Sequence, residues 1–568
     1  MLMPKRALLL LPVATLLVLL LLTSLAVPAC SSSDDVGNPG LDAGADQFVA
    51  TVDAAQDVTP PDAANDWLAP PVITRTLGEG ALGPMRQSCA FEAGAWPAET
   101  LGTEIPVGAD IPINHVIVIM QENRSFDHYL GRLVAQGYYK PGDFTVVSDG
   151  GIDAGNGGAN DAGSDAGDDA GDDAGDDAGN DAGPIVAVDS GLGPPGSGFL
   201  HSDELDGPPA GWSNLDSDGG GVVPHADNEY CYSVDHSWQG QHNDYDNGRN
   251  DNFVTQNNPD GQRAFFYEDD TVIPFYYALA STFSVGDRYF CSVLSSTWPN
   301  RYFLMAGTSF GIGDNSFCEL DTVAHPVPQI FSLLEQGGHS WMDYTDGPHM
   351  VEFFANFGLN SDTLTHYGDV ECDMLGAITN GTLPDVSFMM GDEVTQYSDE
   401  GPADLPGVGG QVVETILRTL FASPSWKDTA VFITYDENGG IADHVPPAPA
   451  CEPDGYAPHD GNNAPLTPGK FDQTGFRVPF IVVSPYARAH FASHTVHDHT
   501  SITRFIEARF GLPALTGRDA NALPPMEMFD FKNPPFVTPP NITAKTPVDP
   551  AVLTQCKQVL APLACTTK

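Results

Sequence analysis

The sequence predicts a layered α/β domain, with a central, mostly parallel sheet flanked by helices. Three observations predict it. Short apolar runs that read as strands alternate with segments of helical spacing. Two runs, Val116 to Met120 and Ala430 to Tyr435, are almost wholly apolar, as strands covered on both faces should be. Both stop abruptly at polar, chemistry-bearing residues, as central strands of open α/β sheets do when they deliver ligands to one sheet edge.

The elements follow in chain order. Lys5 and Arg6 precede an apolar run from Ala7 to Leu22, then Val27-Pro28-Ala29-Cys30. This reads as an export signal over residues 1–29. Its end resembles the lipobox of bacterial lipoproteins, with Cys30 as the lipid-modified first residue of the mature chain. Ordinary cleavage or a retained anchor are the rival readings. Ser31 after the cysteine points to outer-membrane or cell-surface retention. Residues 30–110 read as a flexible tether and lead-in, rich in Asp, Ala, Gly and Pro up to Pro71. The expected catalytic domain spans 111–515.

Within that domain, Val116 to Met120, Trp341 to Tyr344, Val386 to Met390 and Ala430 to Tyr435 read as strands. Val478 to Val483 also does, and Pro479 places it at a strand start or an edge. Phe265 to Ser281 and Val327 to Gln336 have helical character, and Arg301 to Ala306 is apolar. Gly410 to Ser423 is amphipathic through Val412, Val413, Ile416, Leu417 and Leu420. Ser501 to Phe510 reads as a helix stopped by Gly511. Residues 516–568 form a proline-rich tail.

The chain has 568 residues and a net charge of −53, which argues against a nucleic-acid partner. Much of the charge is local: Asp-Ala-Gly repeats run from about Asp149 to Gly183. The expectation is a disordered insertion over about 147–197. It lacks the periodic aliphatic residue of calcium-binding β-helix repeats. Eight cysteines remain if Cys30 is lipidated, an even number compatible with disulfides in an exported protein, and the pairing stays open. No CxxC pair supports a zinc ribbon.

The chemistry concentrates at three places. The first strand run ends in Glu122-Asn123-Arg124-Ser125, and the later one in Asp436-Glu437-Asn438-Gly439-Gly440. Two strand ends with adjacent acid or amide ligands suit one hard metal ion. Between them lies Ser295-Ser296-Thr297-Trp298-Pro299-Asn300-Arg301. A hydroxyl, a rigid proline and a base make a nucleophile turn, because a metal-bound hydroxyl attacks far better at neutral pH than a free one.

Gln121 to Tyr129, Ser296 to Arg301 and Thr434 to Pro447, with Val478 to Arg488 and Asp498 to Ile502, resemble the bacterial phosphoesterase family. That family holds phospholipases C and an acid phosphatase. The resemblance runs in family order from about Ile113 to Leu512. It implies an alkaline-phosphatase-like core with one divalent metal, ligated by Glu122, Asn123, Asp436, Glu437 and Thr297. Thr297 would be the nucleophile, passing through a phospho-threonine. His236 would be a donor near the phosphoryl group, with His242 competing for that role. Asn300 and Arg301 would support the site, and Asp443 and His444 would brace their loop. Oxygen-only ligands favour magnesium, calcium or manganese, with zinc or iron as further candidates.

One departure stands out. The family often has Glu-His-Pro before the amphipathic helix, where this chain has Glu400-Gly401-Pro402. A general acid is therefore expected to be absent or to come from elsewhere.

The favoured activity is phospholipase C-type phosphodiester hydrolysis, on a phospholipid or a small phosphate ester. Acid phosphatase is the alternative, and a non-catalytic surface binding protein on the same fold is the alternative of another class. The chain ends about fifty residues after the last motif, without the C-terminal β-domains of longer family phospholipases. Trp238, Tyr245, Tyr276, Tyr277 and Trp298 are candidates to pack around a choline-like cation, or simply core residues. Thr-x-Pro-x-Arg also resembles the sulfatase signature, but threonine would give a ketone instead of formylglycine. Gly307-Thr308-Ser309-Phe310-Gly311 fits a serine-esterase elbow, although Ile312-Gly313-Asp314 starts a helix poorly.

Overall fold

In the computed structural model, the described residues are 71–140, 205, 207–209, 211–226, 234–257, 259, 261–315, 329–345, 347, 349, 351, 354, 366–391, 399–401 and 405–548. The signal segment with Cys30, the tether before 71, the Asp-Ala-Gly repeats and the end of the tail lie outside them.

Among the described residues, eight strands form the central sheet. They are β1 (His115–Gln121), β2 (Ser284–Gly286), β3 (Trp341–Tyr344), β4 (Tyr367–Gly368), β5 (Val386–Met390), β6 (Thr429–Tyr435), β7 (Ile481–Val483) and β8 (Phe491–Ser493). Their spatial order is β8-β2-β7-β6-β1-β5-β3-β4. Only β7 runs antiparallel to its neighbours. The layered α/β fold with a mostly parallel sheet is therefore as the sequence predicts.

The register of the two central strands matters most. β1 and β6 pair in parallel from His115↔Thr429 to Gln121↔Tyr435. The strands end flush, so Glu122 and Asp436 emerge side by side. The Asp436 N–H still donates to the Gln121 carbonyl at 3.0 Å. Every residue of β6 is buried, and all of β1 except His115, as required of strands covered on both faces.

Helices cover the sheet: α1 (Pro274–Thr282), α2 (Thr297–Ala306), α3 (Ile330–Gln336), α4 (Pro406–Phe421) and α5 (His499–Phe510). The amphipathic helix extends four residues earlier than its pattern suggests, because Pro406 opens it at a first-turn position where no backbone donor is needed. Gly511 closes α5 at φ +66°, as expected of a helix-stopping glycine.

One expectation needs correction, and three other segments gain detail. The apolar stretch from Phe265 splits: Phe266–Tyr267 pairs with His225–Ala226, and the helix starts only at Pro274. The turn at Asp269, whose carbonyl accepts from Val272 and Ile273, separates the two. Arg301 to Ala306 is the second half of α2, and all ten α2 residues are buried. β2 and β8, at three residues each, are too short to show a period. Pro479 precedes β7 at its start, but the strand is internal.

The lead-in is partly built into the fold. Glu79–Gln87 and Pro97–Thr100 are helical. A disulfide joins Cys89 to Cys451. Cys372 is also disulfide-bonded, and Cys291 is a buried free thiol.

Candidate active site

The carboxyl edge of the sheet assembles the site. At the end of β1, Glu122 and Asn123 are each 6% exposed. Asn123 takes φ +63°, a conformation asparagine tolerates better than most residues. It turns the chain so that its N–H donates to Asp436 Oδ1 at 3.0 Å while its side-chain amide donates to Glu122 Oε1 at 3.0 Å. Gly439 follows the second pair at φ +65°, packed against Asn123, where a Cβ would lie 2.7 Å from the Asn123 carbonyl oxygen. Only glycine allows both that φ and that approach.

Thr297 is the first residue of α2, with Ser296 as N-cap. Pro299 sits in the first turn, where its missing N–H costs nothing. The Asn300 side chain holds the preceding loop in shape. Its Nδ2 donates to the carbonyls of Val293, Ser295 and Ser296, and its Oδ1 accepts from the Val293 N–H. Thr297 Oγ1 then donates to Glu122 Oε1 at 3.1 Å. One turn later, Arg301 lies on the same helix face. It bridges the two strand ends, with Nε 3.0 Å from Asp436 Oδ2 and Nη2 3.2 Å from Glu122 Oε2.

The predicted ligands Glu122, Asn123, Asp436 and Glu437 thus converge on Thr297 and Arg301. Three buried carboxylates face one guanidinium. Burial pushes the Asp436 and Glu437 carboxyls up, and the charge of Asp436 pushes Glu437 further. Asn123 Oδ1 and Glu437 Oε1 are buried without a hydrogen-bond donor. Excess negative charge and two unsatisfied oxygens fit a hard divalent cation, and the donor set is oxygen only.

A second group also has metal-ligand spacing. Ligand atoms of Asp127, Asp443 and His444 lie within 4.8 Å of one another. The fully buried Arg477 already supplies positive charge there, donating to Asp127 Oδ1 at 2.9 Å and to Asp443 Oδ1 at 2.8 Å. The His444 ring adds a contact of 2.8 Å from Nδ1 to Asp127 Oδ2. All four carboxylate oxygens of this group already accept hydrogen bonds, whereas Asn123 Oδ1 and Glu437 Oε1 have no donor, so the site at Glu122 and Asp436 is physically the better fit.

His236 is near the assembly, with Nε2 3.9 Å from Glu437 Oε1 and Nδ1 2.8 Å from the Val234 carbonyl. His242 instead packs on Trp238 and contacts its carbonyl. Tyr276 and Tyr277 are buried, and Trp298 is 7% exposed. Tyr276 is committed to Glu400 at 2.6 Å and Tyr277 to the Glu268 carbonyl at 3.2 Å. Ser309 lies just past the end of α2, so it is not on a strand-to-helix elbow.

Three contributors carry little local signal. Gln241 Nε2 donates to Glu437 Oε2 at 3.0 Å and to the Ser295 carbonyl at 2.7 Å. His499 Nε2 is 2.7 Å from the Asp436 carbonyl. The third is Glu400, at φ +68°. It accepts from the hydroxyls of Tyr276, Tyr435 and Tyr129 at 2.6, 2.6 and 2.9 Å. Its loop also touches the ligands directly: the Glu122 N–H donates to the Asp399 carbonyl. Arg124 donates to the carbonyls of Glu400 and Gly401. A Cβ on Gly401 would lie 3.4 Å from Asn123 Nδ2. The position where the sequence lacks a histidine therefore borders the site.

The phosphoesterase family model matches residues 113–162 and 219–513. Phospholipase C B of Mycobacterium tuberculosis is 30% identical over 486 residues, which are 76% of this chain and 80% of that protein. Non-hemolytic phospholipase C of Burkholderia pseudomallei is 29% identical over 444 residues, covering 70% of this chain and 55% of that one. Among solved structures, a protein in the alkaline phosphatase superfamily from Vibrio parahaemolyticus aligns with 44% of this chain and 63% of its own, at 13% identity and a TM-score of 0.26.

Proposed function

The chain belongs to the phosphoesterase family and is a phosphoric-ester hydrolase; from there we propose that it is a metal-dependent phospholipase C-type phosphodiesterase with Thr297 as nucleophile. One observation carries this reading. The Thr297 hydroxyl stands at the start of a ten-residue helix, 3.1 Å from Glu122, and Arg301 of the same helix bridges both acidic strand ends.

Glu122, Asn123, Asp436, Glu437 and Thr297 would hold the metal. When bound, such an ion supplies Lewis-acid stabilisation of phosphoryl charge and lowers the pKa of a hydroxyl. The protein's own groups do the rest. Glu122 Oε1 receives the hydrogen bond of the attacking hydroxyl and so marks where its proton leaves. The positive end of the α2 dipole lies at the reacting oxygen, favouring a phosphate there. Arg301 holds Glu122 and Asp436 in one orientation, and Asn300 keeps the threonine from swinging away. In this reading His236, one-fifth exposed and 3.9 Å from Glu437 Oε1, protonates the leaving alkoxide. Water then hydrolyses the phospho-threonine.

The diesterase reading rests on relatives that bear the name phospholipase C. A lipid anchor at Cys30 would hold the exported enzyme at a membrane surface. No helix among the described residues is long and apolar enough to cross one.

The test is hydrolysis of p-nitrophenyl-phosphorylcholine and p-nitrophenyl phosphate by the chain from Ser31 onward, with and without chelator. Chelator-sensitive turnover of the diester is expected. Preference for the monoester would favour acid phosphatase. No turnover with any added divalent metal would favour the non-catalytic binding protein.

A further inference from the structure

A cavity of about 310 Å³, lined by none of the proposed ligands, opens between Pro208, Pro209, Gly211, Trp212, Val223 and Pro224 on one side and the strand Phe266–Tyr267 on the other. That volume is at the lower end of small-molecule sites. Its walls are aromatic: the Trp212 and Phe265 rings stack at 4.6 Å, with Phe266 and Tyr267 alongside. Val223, 52% exposed, stands among the lining residues where the cavity meets solvent.

The polar groups of the cavity are unequal. Asp127 has both carboxylate oxygens engaged: Oδ1 accepts from Arg477, and Oδ2 accepts from the His444 N–H. It has little left to offer a ligand. Arg132 is the reverse. Its guanidinium stands 4.7 Å from the centre of the Tyr267 ring. It forms no hydrogen bond or ion pair with any described residue. The Trp212 indole N–H likewise donates to no described residue. Among the described residues, Arg75, Arg488 and Arg509 also lack a carboxylate partner, but each donates to a backbone carbonyl, and Arg132 does not. The cavity therefore presents an apolar body and two uncommitted donors, one of them charged.

We infer that this cavity is a binding site for a hydrophobic organic anion, a small amphiphile with a carboxylate, sulfonate or phosphate end. The aromatic walls take the hydrocarbon and Arg132 takes the anionic group, as guanidinium forks do. A quaternary ammonium is excluded by the same arginine. The site is distinct from the catalytic one, since none of its lining residues is among the proposed ligands or the nucleophile. It does not rest on the phosphoesterase reading, and the two fail independently.

The test is a binding titration of the chain from Ser31 onward with anilinonaphthalene sulfonate, followed by fluorescence. Displacement by laurate is compared with displacement by dodecyltrimethylammonium, which matches its chain length with opposite charge. Saturable one-site binding is expected, displaced by laurate and not by the ammonium. Arg132→Gln, a partly exposed change that leaves the core intact, should weaken binding about tenfold. Trp212→Phe, which keeps a ring and removes the donor, should weaken it less. Unchanged binding in Arg132→Gln, equal displacement by both amphiphiles, or no one-site binding at all would each overturn the assignment.

Discussion

Glu400→Gln isolates what a buried carboxylate beneath the site does to stability. Burial raises the Glu400 pKa from 4.5 to about 7, against the opposing pull of three tyrosine hydroxyls. As pH rises from 4.5 toward 7, the unfolded chain releases this proton while the folded chain keeps it. The group's contribution to stability therefore falls through that window and levels off above 7. The shift corresponds to about 3 kcal/mol. Glutamine has no proton to release and presents the same shape as the protonated acid. Near pH 4.5 the variant and the native protein should unfold at similar urea concentrations. At pH 7.5 the variant should be more stable by about 3 kcal/mol, read from urea midpoints. Other buried acids titrate in both proteins and cancel in the difference. Parallel stability profiles across the window would refute the reasoning. So would a variant less stable at pH 7.5, which would mean that the ionised carboxylate is the form the tyrosines hold.

Thr297→Ala should lower turnover at least a thousandfold, whereas Thr297→Ser should keep a measurable part, since a hydroxyl remains; steady-state assays decide, and surviving activity in the alanine variant sinks the nucleophile assignment. Asp443→Asn should destabilise the fold by roughly 3 kcal/mol, because it leaves Arg477 half-compensated in the interior. Its metal stoichiometry by elemental analysis should stay unchanged, and loss of metal would move the metal site to Asp127, Asp443 and His444. Gly401→His should fold, because its Cβ meets Asn123 at ordinary contact distance. It should raise turnover of the diester if a general acid is what the site lacks, and unchanged kcat would show that His236 suffices.

How much of this was legible depends on the range of the interaction. β1 and β6 could be read because a doubly covered strand is apolar residue by residue, and Glu122 and Asp436 because they break those runs. β2 and β8 could not be read, because three residues carry no period. Phe266–Tyr267 looks helical in isolation and is a strand, because a partner at His225–Ala226 overrides local preference. The choice between His236 and His242 was open in sequence. Which imidazole stands near Glu437 is not written locally, because it depends on the packing of Trp238–Tyr245.

The sequence by itself determined the α/β class, the two acidic strand ends and the threonine turn, because each is written in contiguous residues whose polarity follows the backbone. Only the tertiary structure decided what surrounds them. Arg477 neutralises Asp127 and Asp443 across 350 and 34 residues. Glu400 gathers three tyrosines from 271, 124 and 35 residues away. Cys89 closes on Cys451. The sheet register sets these partnerships by bringing distant segments to one edge, and no local pattern encodes which buried charge will meet which.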